Sequence, residues 1–202
     1  MVWIVEPGKQ DDGPEAARLI AETDRDLFGF CTGGNPPAWV DLAEWEWRSD
    51  RGIYSFRRSH VVRGETGLLG LLVSYPSRCH REIDWYFESS RPYLDPSQWH
   101  RIAENYHKLA AFLFPTLPDD AYYVQNVVTH SSARQLGLGR RLMEVAFELG
   151  KSEGCRACHL DVDSSSIPAL KLYEKLGMRV LVKTEVPAIR GVHAHYRMVR
   201  EL

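Results

Sequence analysis

The sequence has no apolar run long enough to cross a membrane and almost no net charge. No stretch of the 202-residue chain comes near the ~20 consecutive apolar residues that a spanning helix needs. The first residues, MVWIVEPGKQDDG, turn acidic and polar without the basic and long apolar regions of a signal peptide. A formal net charge of −2 provides no overall positive field for nucleic acid or an anionic membrane. We therefore expect a cytoplasmic protein that binds neither nucleic acid nor a membrane.

Cysteine is also scarce, with four residues in the chain. Cys155 and Cys158 form a C-x-x-C, a spacing found in zinc sites and redox sites. A second such pair is missing, and this pair begins a strand pattern, where no helix N-terminus would lower the pKa of a thiol. We expect reduced thiols and no metal site. A metal-binding structural module is the alternative that a metal assay would decide.

What is present is an ordinary globular composition, with 44% hydrophobic and 26% charged residues, which fits a single domain over residues 1–202. Apolar alternation predicts strands at 2–5, 60–63, 67–75, 122–129, 158–163, 180–186 and 195–199. Helical spacing predicts helices over 14–28, 38–47, 98–114, 138–153 and 166–177, with a loop over 28–37. Strands and helices in this order predict a three-layer α/β fold around a mixed sheet.

The segment between Thr129 and Arg140 joins a predicted strand to a predicted helix and has the properties of an anion site. A helix start presents unpaired N–H groups and a partial positive charge, which together favour a phosphate. Gly137 and Gly139 lack side chains, so a bulky diphosphate can approach the main chain. Positive charge suited to phosphate oxygens comes from three arginines, Arg134, Arg140 and Arg141. The pattern predicts a ligand that carries a pyrophosphate.

Two better-known phosphate loops do not fit this segment. A dinucleotide-binding G-x-G-x-x-G would need glycine where Leu142 stands, and the Gly-Lys-Ser/Thr of a P-loop is missing. The pattern that remains is Arg134-x-x-Gly137-x-Gly139 between a strand and a helix. It resembles the R/Q-x-x-G-x-G/A motif of the GNAT superfamily, the acetyl-CoA-dependent N-acyltransferases.

A second motif strengthens this resemblance. The stretch ALKLYEKLG, at 169–177, is similar to the superfamily's A-x-x-L-Y-x-x-x-G, and Met178 is the large apolar residue that follows it. The resemblance covers 122–200 well. It implies a three-layer α/β/α fold with a mostly antiparallel sheet and a central, splayed pair of parallel strands. The acceptor-side elements would lie within about 14–118 and the acetyl-CoA-binding core at about 119–200.

The resemblance also implies where acetyl-CoA, the acyl-donor cosubstrate, would bind. In this superfamily the pantetheine arm inserts between the splayed strands and pairs with the main chain of the earlier strand, here Val127, Val128 and Thr129. Ser166 stands where members often have a cofactor-binding asparagine, and it can offer only one hydroxyl. The residues implied for the diphosphate are Arg134, Gln135, Leu136, Gly137, Leu138, Gly139 and Arg140.

Catalysis in the superfamily is direct attack of an amine on the thioester within a ternary complex. The resemblance assigns Tyr173 to the sulfur, which it would hydrogen-bond and protonate, and the N–H of Val128 to the carbonyl oxygen. A glutamate often lies on the strand before the phosphate loop, but Gln125 and Asn126 stand there and neither is a base at ordinary pH. The proton acceptors considered are the carboxylates Glu82, Asp84 and Glu88 first, then His130 or water.

The acceptor is defined only as a primary amine of a small molecule or a protein. Aromatic residues in the acceptor-side segments predict either packing of a lobe or an aromatic-lined amine pocket; they are Trp39, Trp45, Trp47, Trp85, Tyr86, Tyr93 and Trp99. His193 and His195 are further residues that could face the cleft in which the amine acceptor binds. Dimers are frequent in the superfamily, so a homodimer is expected by analogy. A non-catalytic acyl-CoA sensor on the same fold is the alternative function, because Gln125 and Ser166 depart from the pattern.

Overall fold

The computed structural model describes residues 3–23, 25–33, 36–82, 95–113, 117–185 and 194–202. Within these residues the strands are β1 (Glu6–Pro7), β2 (Ser59–Gly64), β3 (Gly67–Pro76), β4 (Ala121–Thr129), β5 (Ala157–Asp163), β6 (Arg179–Thr184) and β7 (His195–Glu201). The helices are α1 (Gly13–Ala21), α2 (Arg25–Cys31), α3 (Pro36–Trp47), α4 (Pro96–Leu113), α5 (Leu138–Ser152) and α6 (Ile167–Lys175).

The strands form one open sheet in the order β1-β2-β3-β4-β5-β7-β6. Every neighbouring pair is antiparallel except β4 and β5, which are parallel. A parallel pair needs a crossover connection, and α5 supplies it between these two strands. The predicted mixed, mostly antiparallel sheet with a parallel pair at its centre is confirmed.

Helices cover both faces of the sheet, because successive residues of a strand point to opposite sides. Leu71 of β3 packs with Trp47 of α3 and Ile102 of α4 in the first core, which also includes α1. The next residue, Leu72, packs with Leu142 of α5 in the second core, which also includes residues of α6. The predicted three-layer α/β/α architecture is therefore confirmed.

The first strand and the first helix differ from their predicted bounds. The strand lies at Glu6–Pro7 instead of 2–5. Residue 2 of the predicted range lies outside the described residues. The single helix predicted over 14–28 is divided into α1 and α2. The hydroxyl of Thr23 donates to the Ile20 carbonyl oxygen at 2.7 Å, which gives the end of α1 a local partner that competes with helix continuation.

The segment from 28 to 37 was expected to be a loop because of its glycines and prolines. Instead α2 continues to Cys31 and α3 begins at Pro36. Proline fits the first turn of a helix, since its fixed φ suits the helix and the N–H it lacks would have no partner there. The two prolines therefore begin α3 two residues before the predicted start at Ala38.

None of the helices in the described ranges is long and apolar enough to span a membrane.

Glu46 of α3 is an acidic side chain buried at the edge of the first core, with only 7% of its surface exposed. Burial raises the pKa of its carboxyl group to about 8, although a hydrogen bond from the Tyr54 main chain and the charge of Arg58 act in the opposite direction. Within the described ranges, its Oε2 atom is buried and has no hydrogen-bond partner. At neutral pH the carboxyl group is therefore mostly protonated in the folded protein.

We predict that Glu46→Gln removes a pH dependence of stability. The unfolded chain ionises this carboxyl near its ordinary pKa of 4.5 but the folded protein only near 8, so wild-type stability falls as pH rises between these values. Glu46→Gln should match the wild type near pH 4 and exceed it by up to a few kcal/mol at pH 8, at about 1.4 kcal/mol per pKa unit. Urea unfolding across this pH range checks it.

The matched control is Glu44→Gln on the same helix, where the carboxylate is partly exposed and pairs with Arg48 at 3.0 Å. Its profile should stay parallel to the wild type. A Glu46→Gln profile that is also parallel would contradict the assignment of a protonated, buried Glu46.

Candidate active site

The two parallel strands at the centre of the sheet separate after four residues. Their pairing runs from Ala121 opposite Ala157 to Val124 opposite Leu160 and ends there. β4 continues to Thr129 and β5 to Asp163, so the last five residues of β4 face β5 without a ladder. This opening, the gap, confirms the splayed parallel pair that was predicted.

A bulge at Gln125 marks the place where the gap begins. Val73 of β3 lies opposite Asn126, and Ser74 lies opposite Val124, so Gln125 is the extra residue on β4. A bulge bends its strand and adds twist, which is consistent with β4 leaving β5 at this point. The hydroxyl of Tyr75 donates to Oε1 of Gln125 at 2.7 Å and holds the bulged side chain on the first-core side.

The hydrogen-bond register decides which main-chain groups of β4 face the gap. The His130 N–H donates to the Leu69 carbonyl oxygen at 2.8 Å, and the register continues unbroken to Leu71 opposite Val128. In an antiparallel pair, hydrogen-bonded and non-bonded positions alternate, so Val128 exchanges its main-chain bonds with Leu71. The N–H groups of Val127 and Thr129 point instead into the gap.

This register bears on one expectation. Val128 was assigned to the thioester carbonyl, but in this register its N–H faces β3, because main-chain groups alternate in direction along a strand. Val127 and Thr129 are the positions whose N–H groups face the gap.

The turn after β4 combines left-handed backbone with a helix start. Gln135 has φ 64° and Gly137 has φ 81°, and α5 begins at Leu138. The Arg141 N–H donates to the Gly137 carbonyl oxygen at 3.1 Å. The N–H groups of the residues before Arg141 in this first turn have no acceptor within the helix, as at every helix N-terminus. The turn thus has the donors that a diphosphate requires.

Close packing holds this helix start against the end of β4. Leu138 is 1% exposed and belongs to the second core. A Cβ atom on Gly139 would lie 3.3 Å from Cδ2 of Leu172 on α6 and 3.8 Å from Cγ2 of Thr129, so glycine lets β4, α5 and α6 meet. A Cβ atom on Gly70 would lie 2.9 Å from the Val128 carbonyl oxygen.

The three arginines near the turn are not equivalent. Arg140 pairs with Glu144 at 2.9 Å, and Arg141 pairs with Glu148 at 3.2 Å, both further along α5. Arg134 is exposed, and among the described residues it forms no ion pair. Arg134 is therefore the cation with the most charge available for a phosphate.

Tyr173 lies on α6 within the second core and is 8% exposed. Burial raises the pKa of its hydroxyl to about 12, and the nearby Cys158 adds to the shift. Cys158 lies on β5 two residues before Leu160, where the pairing with β4 ends. The phenol therefore stays protonated over the whole physiological pH range.

Ser166 is the residue before the first turn of α6, as predicted, but its side chain makes no capping hydrogen bond. Its carbonyl oxygen instead accepts from the Ala169 N–H and the Leu170 N–H, both at 3.0 Å. The serine therefore begins the helix through its main chain, and its hydroxyl has no capping role.

A buried polar network on the first-core face of the sheet was not anticipated. Arg197 of β7, which is 4% exposed, donates from Nε and Nη2 to the two carboxylate oxygens of Asp161 on β5, each at 2.6 Å. The hydroxyl of Tyr123 on β4 donates to Oδ2 of Asp161 at 2.8 Å. The alternation of polar residues along β5 indicated a polar face, but the partner strand could not be read from it.

Most of the predicted proton acceptors lie at the edge of the described residues or outside them. Glu82 ends a 3-10 turn, Ser77–Glu82, and Asp84 and Glu88 lie outside the described residues. His130 is exposed, and its Nδ1 is 2.8 Å from the Ser132 hydroxyl oxygen. None of these observations selects a base.

The tryptophans of the described acceptor-side segments are mainly packing residues. Trp39, Trp47 and Trp99 are each at least nine-tenths buried, and the Trp39 ring meets the Tyr54 ring edge-on at 6.3 Å. Trp45 packs against the first core. Trp85, Tyr86, Tyr93 and His193 lie outside the described residues. His195 is buried, with Nε2 3.9 Å from a carboxylate oxygen of Asp163.

The C-x-x-C pair consists of free, buried thiols. Burial raises the pKa of the Cys158 thiol to about 12 and also raises that of Cys155. A metal ligand must be a thiolate, so this environment opposes metal binding. In the described part of the chain, no group of three His, Cys, Asp or Glu residues has the arrangement of a metal site.

Comparison with known proteins agrees with this geometry. Residues 39–178 match the acetyltransferase (GNAT) family. Over 57 residues, 28% of this chain and 20% of the relative, the chain is 40% identical to GCN5-related N-acetyltransferase 4, chloroplastic, of Arabidopsis thaliana. Over 99 residues, 46% of this chain and 33% of the relative, it is 36% identical to mycothiol acetyltransferase of Thermomonospora curvata.

The matches to these two curated relatives cover at most a third of the relatives' length. The crystal structure of an N-acetyltransferase from Staphylococcus aureus Mu50 superimposes with a TM-score of 0.72 at 19% identity, over 98% of this chain and 100% of that one. That likeness shows the shared fold. Because the family match spans more than half of the sequence, the chain belongs to the acetyltransferase (GNAT) family, a family of acyltransferase enzymes.

We predict that Asp161→Asn destabilises the protein by on the order of 3 kcal/mol, because it removes the negative charge that pairs with the buried guanidinium of Arg197. The control is Asp163→Asn on the same strand, whose carboxylate lies 3.9 Å from the imidazole of His195 and not beside a guanidinium, and it should cost far less. Thermal and urea unfolding measure both variants. Equal small losses would show that the network adds little to stability.

Proposed function

We propose that the protein transfers an acetyl group from acetyl-CoA to a primary amine of a small molecule or a protein, within a ternary complex. The observation that carries the proposal is the gap between β4 and β5, which begins at Gln125 and runs to the helix start at Leu138. Acetyl-CoA has a narrow arm with a diphosphate at one end and a thioester at the other. The gap is a narrow opening with main-chain donors along one side and a helix start at its end, and it suits such a ligand. Membership of the acetyltransferase (GNAT) family supports acetyl transfer.

In this proposal the main chain of Val127 and Thr129 pairs with the pantetheine arm. The amides of the turn, from Gln135 to Arg140, bind the diphosphate, and Arg134 adds a full positive charge beside it. These are neutral and charge-assisted hydrogen bonds to an anion at a helix N-terminus, where the helix dipole also favours negative charge. Since the side chain of Ser166 does not cap α6, its hydroxyl is free of that role and remains a candidate contact to the cofactor.

The N–H of Val127 would polarise the thioester carbonyl. It is a fixed donor on a strand held by β3, so it needs no reorganisation as negative charge develops on the oxygen. The amine nitrogen forms a bond to the carbonyl carbon, the carbon–sulfur bond breaks, and the sulfur leaves as a thiolate. One proton is lost from the amine, and one is taken up by the sulfur.

The hydroxyl of Tyr173 would donate a hydrogen bond to the thioester sulfur. Its pKa of about 12 lies above that of an ordinary thiol, which is about 8.5, so full transfer of the phenol proton is unfavourable by itself. A hydrogen bond from the hydroxyl to the sulfur, strengthened as negative charge builds up, is the more favourable role. The proton leaving the amine then neutralises the thiolate. Glu82 and Asp84 remain our proposed first acceptors of that proton.

Two measurements test the function directly. Calorimetry with acetyl-CoA should show binding to the purified protein, and release of free thiol should follow when a panel of primary amines is added. Tight binding without turnover on any amine would favour a non-catalytic acyl-CoA sensor. Absence of binding would refute the proposal.

We predict that Tyr173→Phe lowers kcat by about 10²-fold and changes the Kd for acetyl-CoA less than threefold, since the hydroxyl acts mainly as the sulfur becomes negative. The matched control is Tyr122→Phe, a second buried tyrosine of the same core whose hydroxyl is 3.0 Å from the Ser74 hydroxyl. Stopped-flow kinetics and calorimetry separate the two effects. Unchanged turnover in Tyr173→Phe would remove the tyrosine from the mechanism.

We predict that Arg134→Gln weakens acetyl-CoA binding about tenfold at low salt, because a charge-assisted hydrogen bond to a phosphate is worth roughly 1.5–3 kcal/mol before screening. Arg140→Gln should have a smaller effect, since Arg140 is already paired with Glu144. Titrations at 20 and 500 mM salt should show that the difference between wild type and Arg134→Gln shrinks with salt. A larger loss in Arg140→Gln than in Arg134→Gln would reverse the assignment.

A further inference from the structure

The turn that begins α5 is held by a residue from the other end of the chain. The indole Nε1–H of Trp3 donates to the carbonyl oxygen of Leu136 at 2.9 Å, across 133 residues of sequence. The ring of Trp3 is partly buried and packs against the second core together with Val5 and Leu69. Nothing in the motif patterns connects Trp3 with the phosphate loop.

The turn has few other restraints. Gln135 is a non-glycine residue in the left-handed region, Leu136 is 49% exposed, and Gly137 is also left-handed. Among the described residues, no second hydrogen bond from outside the turn and its helix reaches these three. The bond from Trp3 is therefore the contact that fixes the peptide unit between Leu136 and Gly137.

A planar trans peptide has its C=O and N–H pointing in opposite directions. Because the carbonyl of Leu136 points toward Trp3, the N–H of Gly137 points away from Trp3. The order of the strands in the sheet shows which side of β4 lies away from Trp3. Trp3 lies three residues before β1, which is on the β3 side of β4 in the sheet order, whereas the gap lies on the other side of β4. The N–H of Gly137 is thus aimed toward the gap side.

We propose that Trp3 is a positioning residue for the diphosphate of acetyl-CoA: its indole N–H sets the Leu136–Gly137 peptide so that the Gly137 amide donates to a diphosphate oxygen. The inference rests on the proposed function, because it deepens the role of the same site. Trp3 does not touch the reacting atoms, so its effect falls on cofactor affinity and not on the chemical step.

The test compares Trp3→Phe, which keeps an aromatic ring in the second core but removes the N–H, with the wild type. A neutral hydrogen bond supports an effect of roughly 3- to 10-fold. We expect the Kd and KM for acetyl-CoA to rise by that factor, with kcat within twofold and the thermal midpoint nearly unchanged. A Trp3 variant with 3-benzothienylalanine, in which sulfur replaces the N–H at the same ring size, covers the case in which Trp3→Phe disturbs packing.

S-acetylpantetheine is the second probe, because it carries the thioester and the arm but no diphosphate. Both variants should use it as well as the wild type does. Equal weakening toward acetyl-CoA and S-acetylpantetheine would overturn the inference, since the effect would then not be at the diphosphate. So would unchanged acetyl-CoA affinity in the benzothienyl variant.

Failure of the proposed function has a separate signature. If the wild-type protein itself binds no acetyl-CoA, the site assignment is refuted, and the role of Trp3 falls with it. If the wild type binds and the variants bind equally well, the function stands and only the inference about Trp3 is refuted.

Discussion

The separation of β4 from β5 is the constraint on which the rest of the site depends. Two parallel strands that pair for four residues and then part leave main-chain donors and acceptors without partners, which is costly in a protein interior. The bulge at Gln125, held by Tyr75, sets where the separation starts. The close contacts of Gly139 with Thr129 and Leu172 fix the other end. A ligand that replaces the missing strand satisfies these groups, and acetyl-CoA is our candidate.

Much of this arrangement was predictable from the sequence, because the relevant signals are local. Apolar alternation located β4 and β5 within a residue or two, and the glycines at 137 and 139 located the helix start. The resemblance to the GNAT superfamily, which the two motifs carry, then implied the parallel pair. Local signals failed at the N-terminal helices, where the end of α1 depends on Thr23, whose hydroxyl also accepts from the distant Asn126 amide at 2.9 Å.

The remaining features depend on contacts between distant segments. The orientation of Val128 is set by its register against β3, and a bulge shifts that register by one residue without a clear sign in the sequence. The Asp161–Arg197 pair joins strands 36 residues apart, and the hydrogen bond from Trp3 joins segments 133 residues apart. Burial of Glu46 and Tyr173 likewise follows from packing, and the raised pKa values follow from burial.

Residue-resolved amide hydrogen exchange reports on single N–H groups of β4 and distinguishes those bonded to β3 from those that face the gap. Val128 should exchange slowly with or without ligand, since its N–H is bonded to β3. Val127 and Thr129 should exchange quickly in the free protein and become protected when acetyl-CoA is added at saturation. Unchanged exchange at Val127 and Thr129 with the ligand bound, or fast exchange at Val128 in the free protein, would contradict the assignment of the gap as the acetyl-CoA site.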